Sequence, residues 1–211
     1  MRTLLVLSLA TLLAGCTCGT VRELKDPSTL TPDGKAVKTR SDKALDYSVA
    51  IQIAAKPEVV WAVLTDASGF TKWNSTLNKF EGKIEKDGKI SLISKVAPER
   101  TFTLKVSEFD APKKMTWEDG NAMFLGVRHF TLTEKDGGTV LAMSETYSGM
   151  FLGSAEKEMP DFTANFETFA ADVKKEAEAR SPKPQAPPEA KPEAQPEAQP
   201  AATEQPVAPP G

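Results

Sequence analysis

Met159, Phe162, Phe166, Phe169 and Val173 recur at spacings of three and four, with Asp161, Glu167 and Asp172 between them and Lys174 just beyond. That period gathers the apolar side chains onto one stripe of an α-helix. The pattern predicts a single long amphipathic helix from about Ala155 to Ala179, roughly 35 Å in length. Pro160 falls inside it, and a proline ring cannot continue a helix interior, so the helix either starts near Pro160 or kinks there. A helix with one apolar stripe must bury it against another layer of the same chain.

The residues upstream supply that layer as strands. Tyr47, Val49, Ile51 and Ile53 alternate with residues that include Ser48 and Gln52, which is the period of a strand with one buried face. Turn chemistry then recurs at Lys86-Asp87-Gly88-Lys89, Ala97-Pro98-Glu99, Asp110-Ala111-Pro112, Glu118-Asp119-Gly120-Asn121 and Lys135-Asp136-Gly137-Gly138. Between these signals lie Leu77 to Ile84, Ile90 to Val96, Thr101 to Phe109, Lys114 to Trp117, Phe124 to Thr133 and Thr139 to Tyr147. With the first strand they make about seven, and tight turns imply antiparallel pairing. Pro57 suits the first turn of a helix and Glu58 complements its dipole, so a short helix is expected from Pro57 to Leu64. A second is expected from about Ser68 to Trp73, with Asp66 as its cap.

The two ends read differently from this core. Arg2, the apolar run Leu4 to Leu13 and then Ala14-Gly15 have the pattern of a secretory signal peptide, residues 1–15. Leu13-Ala14-Gly15-Cys16 resembles the lipobox of bacterial lipoproteins, which implies cleavage before Cys16 and lipidation of its thiol. The implied partner is a membrane reached through that lipid, and the implied place is the cell envelope. Thr17 stands where Asp would signal inner-membrane retention, so the resemblance favours the outer membrane. Lipidation of Cys16 would leave Cys18 with no second thiol to pair with inside the chain.

Residues 16–45 are polar, broken by Pro27, Pro32 and Gly34, and are expected to be a flexible tether. Their six Lys or Arg against four Asp or Glu between Val21 and Leu45 fall short of a polybasic patch. At the other end, residues 181–211 hold ten of the sixteen prolines and repeat Pro-Glu-Ala-Gln, which cannot build a core. An extended solvated tail is expected there, either as a spacer or as a reach toward a partner. One domain, residues 46–180, remains.

The order strand, two short helices, six strands and one long helix resembles the helix-grip fold of the START-like, polyketide-cyclase-like superfamily abbreviated SRPBCC. The resemblance is carried by Ile53-Ala54-Ala55-Lys56-Pro57-Glu58-Val59-Val60-Trp61, Leu64-Thr65-Asp66, Trp73-Asn74, Gly137-Gly138-Thr139 and Glu145-Thr146-Tyr147-Ser148-Gly149. It implies an α+β architecture in which a curved antiparallel sheet wraps the long C-terminal helix and encloses an apolar cavity. Candidate wall residues are Trp61, Trp73, Phe102, Leu104, Trp117, Phe124, Arg128, Phe130, Glu145, Tyr147, Phe162, Phe166 and Phe169. The aromatic members would also suit a solid core.

Sites for covalent chemistry are sparse. The domain has one His and no Cys, so no metal site and no cofactor is expected. His129 could serve as a base, but no Gly-x-Ser-x-Gly elbow accompanies it. Arg128 precedes it on a strand, so one of the two points inward and the other outward. Glu145 and Tyr147 share a strand face, and Arg128 is expected on the neighbouring strand, where it would pair with Glu145 or line a cavity mouth. Seventeen basic against twenty-one acidic residues from 46 to 180 give no nucleic-acid stripe. The leading expectation is a monomeric lipoprotein that binds or carries a hydrophobic small molecule or lipid. The rivals are a cyclase- or hydratase-type enzyme using the same cavity, and a protein-interaction module whose cavity is filled.

Overall fold

A computed structural model describes residues 27–181. Cys16, Cys18, the leader and residues 182–211 lie outside the described residues. Within them an eight-stranded antiparallel sheet curves around a C-terminal helix. The strands are β1 (Val37–Arg40), β2 (Ala44–Ile53), β3 (Leu77–Gly82), β4 (Lys89–Ser94), β5 (Thr101–Asp110), β6 (Lys114–Asn121), β7 (Phe124–Lys135) and β8 (Gly138–Ser148). Their spatial order is β1-β2-β8-β7-β6-β5-β4-β3. Helices α1 (Pro57–Thr65) and α2 (Phe70–Trp73) follow β2, and α3 (Leu152–Glu158) and α4 (Thr163–Arg180) follow β8.

Alternation places Leu45, Tyr47, Val49, Ile51 and Ile53 of β2, with Leu141 and Met143 of β8, on the concave face in one buried cluster with Phe166, Phe169, Ala170 and Val173 of α4. Polar groups on α4 then lock it to the sheet ends. Glu178 accepts the Ala54 N–H at 2.8 Å, Asp172 accepts the Ser75 N–H at 2.7 Å, and Glu167 accepts the Ala36 N–H at 3.1 Å. Each carboxylate takes a loop N–H beside the sheet; Ala36 is half-buried, whereas Ala54 and Ser75 are exposed.

Two motifs singled out in the sequence acquire a physical reason. Asp136 and Gly137, at φ 51° and 74°, form the two-residue turn that joins β7 to β8. Positive φ at both central positions is what a tight hairpin with native twist demands. Immediately after it, a Cβ on Gly138 would stand 2.3 Å from the Ile53 carbonyl oxygen. Thr139, fully buried, donates its hydroxyl to the Ala55 carbonyl at 2.7 Å and thereby fixes the junction between β2 and α1.

The structure corrects four expectations. The segment read as tether contributes a strand: β1 pairs with β2 from Val37↔Ser48 to Arg40↔Leu45, preceded by a 3-10 turn at Pro27–Thr29. β1 has only four residues and one large aliphatic side chain, too little for a periodic signal, and it is held by pairing to the sheet edge and by ion pairs. The expected turn at Glu118 to Asn121 is strand, and the reversal falls at 122–123. Gly120 belongs there because its φ is 105° and a Cβ would meet the Phe124 carbonyl oxygen at 2.1 Å. It marks a close backbone approach inside a ladder, not a reversal.

The C-terminal helix is interrupted at Pro160, as the proline led one to expect, but the break at residues 159–162 is complete and leaves two helices where one was expected. Finally, α2 begins at Phe70 and not Ser68, because Asp66 takes the Ser68 hydroxyl at 2.9 Å and the Gly69 N–H at 3.0 Å and so closes a turn ahead of the helix. No helix among the described residues is long and apolar enough to cross a membrane.

Candidate functional site

A cross-strand row defines the concave face near one end of the sheet. Tyr47 of β2 stands opposite Glu145 of β8, Glu145 opposite Arg128 of β7, and Arg128 opposite Trp117 of β6. Arg128 donates to one Glu145 carboxylate oxygen from Nε at 2.9 Å and also from a terminal guanidinium nitrogen. The side chains are 19% and 9% exposed, so the pair is largely out of water. Burial works against the guanidinium charge, but Glu145 outweighs it and holds Arg128 firmly protonated. The Phe166 ring lies 5.4 Å from the guanidinium carbon and covers its other side. Burial, reinforced by Glu145, pushes the Tyr147 phenol well above its ordinary range, so its hydroxyl remains a donor.

Two spaces open beside this row. The deeper, of about 40 Å³, is bordered by Trp117, Arg128, Glu145, Asn74, Leu104 and Phe169, among others. The outer, of about 510 Å³, is walled by Val96, Phe102, Phe124, Met159, Pro160 and Phe162, with Glu99, Arg100 and Glu158 toward its edge. Phe102, Tyr147 and Phe162 belong to both, so a narrow interior adjoins a roomy vestibule. The vestibule owes its roof to the break between α3 and α4, since Met159 and Pro160 lie in that break.

Of the thirteen residues proposed from sequence, Phe102, Leu104, Trp117, Phe124, Arg128, Glu145, Tyr147, Phe162 and Phe169 line one or both spaces. The other four stand in the surrounding core. Trp61 packs against Phe109 at 5.1 Å, Trp73 against Phe70 at 4.7 Å, Phe130 against Trp117 at 4.8 Å and Phe166 against Tyr47 at 5.8 Å. These pairs explain why the interior is narrow: the aromatic stripe fills most of the space between helix and sheet. Asn74 and Met159 were missed as wall residues. Asn74 follows an aromatic helix end and carries no periodic signal.

Three buried side-chain polar atoms have no hydrogen-bond partner among the described residues: Trp73 Nε1, Asn74 Nδ2 and Trp117 Nε1. Unpartnered buried donors are uncommon, and each calls for an explanation. Two of them, on Asn74 and Trp117, belong to residues that border the deep space.

His129 points the other way, onto the convex face, where its Nδ1 lies 3.0 Å from the Thr116 hydroxyl. No group of three or more His, Cys, Asp or Glu able to hold a metal ion occurs among the described residues.

A curved sheet gripping a terminal helix over an aromatic-lined opening defines the helix-grip class. Residues 44–178 match the model of the family described as polyketide cyclase / dehydrase and lipid transport. The chain belongs to that family, within the SRPBCC-type proteins. No curated protein sequence matches it significantly. Among solved structures it is similar to protein MLL2253 of Mesorhizobium loti, at 20% identity and TM-score 0.52 over 64% of this chain and 98% of that one. The di-domain ARO/CYC StfQ of the steffimycin biosynthetic pathway gives 13% identity and TM-score 0.54, over 66% of this chain and 52% of that chain. Truncated norcoclaurine synthase of Thalictrum flavum gives 11% identity and TM-score 0.50, over 67% and 94%. These likenesses are likenesses of fold.

Proposed function

We propose that this chain binds a hydrophobic or amphipathic small molecule without covalent chemistry, and that it does so at a membrane to which a lipid on Cys16 anchors it. The observation that carries the reading is the vestibule: about 510 Å³ walled mainly by aromatic and aliphatic side chains, against about 40 Å³ of free space in the interior. A concave apolar space of several hundred Å³ with a few polar groups at one end is the usual form of a small-molecule site. The family includes cyclases and lipid-transport proteins. The anchoring rests on the Leu13-Ala14-Gly15-Cys16 sequence, with Thr17 favouring the outer membrane.

The test is extraction. The full chain, purified from its own membrane fraction, is expected to release a stoichiometric lipid-like compound in mass spectrometry and to enhance the fluorescence of N-phenyl-1-naphthylamine saturably. A chain that carries nothing and leaves the dye dark overturns the reading. The anchor is checked separately: Cys16→Ser is expected to move the protein out of the membrane fraction, and unchanged fractionation would remove that part alone.

A second reading, catalysis of cyclase or hydratase type, draws on one observation. Arg128, Glu145 and a protonated Tyr147 all border the site. Arg128 and Glu145 are engaged with each other, however, which suits a rigid wall better than a proton relay. Loss of turnover in Glu145→Gln with ligand affinity and melting unchanged would favour the enzyme.

A further inference from the structure

The two ends of the sheet differ in a way that bears on where a ligand of the vestibule would come from. Antiparallel pairing gathers the β1–β2, β4–β5, β6–β7 and β8–α3 connections at one end, and the β2–α1, β3–β4, β5–β6 and β7–β8 connections at the other. The second set is charged, with Lys83, Glu85, Lys86, Asp87, Lys113 and Asp136 at its turns. The first set carries every large apolar side chain that is exposed among the described residues: Val96 and Met123 at 40%, Phe151 at 51% and Met150 at 77%. One exposed apolar residue needs no explanation, but four confined to a single end mark a contact surface.

The backbone holds these side chains out beside the vestibule. The Phe151 N–H donates to the Met123 carbonyl at 2.9 Å, which ties the β6–β7 turn to the start of α3. The Ala155 N–H donates to the Phe151 carbonyl at 2.9 Å, and the Met123 N–H to Asn121 Oδ1 at 2.9 Å. Val96 is itself part of the vestibule wall, Met123 precedes the wall residue Phe124, and Ala155, one turn beyond Phe151, belongs to the wall as well. The apolar surface thus runs into the rim of the opening.

Charge and reach decide what covers it. The connections at this end hold Lys43, Lys95 and Arg100 against Asp42 and Glu99, and Arg100 lies 3.6 Å from Asp119. So even a balance gives little attraction to a charged partner or to anionic head groups, whereas apolar side chains on a tip gain free energy by entering the acyl boundary of any bilayer. Pro27, the first described residue, borders a cleft on the convex face together with Ser144. Ser144 is four residues from the end of β8 at this surface, roughly 13 Å along the strand. Cys16 lies eleven residues before Pro27, a stretch that spans at most about 36–40 Å. A lipid on Cys16 and the apolar surface are therefore within reach of one membrane plane.

We propose that this end of the domain docks on a lipid bilayer, with Met123, Met150 and Phe151 seated in the acyl boundary and Val96 at the rim, so that the vestibule opens onto the lipid phase. The route rests on the reading that the vestibule takes up a hydrophobic molecule, which then passes from bilayer to protein without crossing water.

The test uses the full chain carrying Cys16→Ser, so that no lipid on that residue contributes, with large unilamellar vesicles of phosphatidylcholine alone or with phosphatidylglycerol added. The chain is expected to sediment with both kinds to a similar extent, and high NaCl, which screens surface charge, should not release it. Met150→Ser combined with Phe151→Ser is expected to lower the vesicle partition coefficient at least about tenfold, since two apolar side chains no longer enter the boundary. Neither residue lines the vestibule, so that variant should bind N-phenyl-1-naphthylamine normally when vesicles are absent. A second measurement reads depth: brominated acyl chains should quench the added indole of Phe151→Trp and spare that of Glu85→Trp at the opposite end. If the double variant fails to fold, this quenching decides.

Vesicle binding that the double variant keeps, that requires phosphatidylglycerol or that high salt abolishes overturns the docking surface. A solution dimer that the double variant dissociates overturns it too, because a second copy would then cover these side chains. Dye binding is read without vesicles, so the two readings fail separately. A chain that docks but leaves the dye dark brings down the proposed function, and one that binds the dye but ignores both kinds of vesicle brings down this inference.

Discussion

Arg128 and Glu145 face one another across β7 and β8, both on the concave side, and the guanidinium engages a single carboxylate oxygen. The pair sits between the aromatic core and the deep cavity. A charge in that position is stable only while its partner is present. Glu145→Leu is therefore expected to cost about 3–5 kcal/mol in urea unfolding, most of it from the guanidinium left behind. Adding Arg128→Leu to that variant is expected to restore much of the loss, since a well-packed apolar pair of similar size is often neutral. Equal stability of the single and double variants would show the pair to be a bystander.

The vestibule wall yields a prediction about binding that leaves the fold alone. Phe124 is half-buried and stacks on Tyr147 with ring centroids 5.9 Å apart. Phe124→Gln places an amide on an apolar wall and is expected to weaken N-phenyl-1-naphthylamine binding about tenfold, as loss of a buried aromatic face implies. Melting should move by only a few degrees. Unchanged dye affinity would place the apolar binding surface elsewhere.

Thr139 bridges the last hairpin to the β2–α1 junction through one hydroxyl. Thr139→Val keeps the shape and leaves the Ala55 carbonyl without its buried donor. A loss of about 1–3 kcal/mol in chemical denaturation is expected. An unaffected midpoint would mean that the junction is held by backbone sterics at Gly138 alone.

Asp46 gives the pH dependence. It lies buried on the convex side of β2, with Ser48 and Thr146 donating to its carboxylate, and burial outweighs those bonds and raises its pKa. A carboxyl raised in the folded state holds its proton more tightly there than in the unfolded chain. Its contribution to stability is thus fully present below about pH 4 and is lost as pH climbs through the folded-state value. Asp46→Asn cannot ionise, and its amide can still meet both hydroxyls. It should melt above the parent at pH 7, with the gap closing near pH 3, and a gap that is constant with pH would refute the ionisation as the cause.

These residues show how far a sequence of this kind is legible. The alternation in β2, the Asp136-Gly137 turn and the Phe162 to Val173 stripe are local, periodic signals, and the antiparallel pairing of successive strands from β3 to β8 followed from signals of this kind, whereas the placing of β2 beside β8 did not. β1 escaped because four residues carry no period. The ion pairs that hold it, Arg40 to Glu156 and Lys38 to Asp161, join positions more than a hundred residues apart. Gly120 misled because a glycine needed for close approach looks, in isolation, like one needed for a reversal. At the site, apolar periodicity marked which side chains face inward but not which of them leave room. Trp61, Trp73, Phe130 and Phe166 fill space that Phe102 and Phe124 leave open, and that depends on the curvature of the sheet. The orphaned donors were illegible for the same reason, since a missing partner is a property of the packed state.

The segment from Lys35 to Arg40 spans the helix break from outside. Lys35 meets Glu167 of α4 at 3.7 Å, Lys38 meets Asp161 within the break at 3.3 Å, and Arg40 meets Glu156 of α3 at 2.7 Å. Met159 and Phe162 grip the same stretch from within through apolar contact. The two grips answer oppositely to the surrounding electrolyte. Dissolved ions loosen solvent-facing charge pairs, whereas sulfate-like salts tighten hydrophobic contact. The covering over the vestibule is thus clasped by two fasteners of unlike chemistry, and a change in ionic medium that slackens one leaves the other closed.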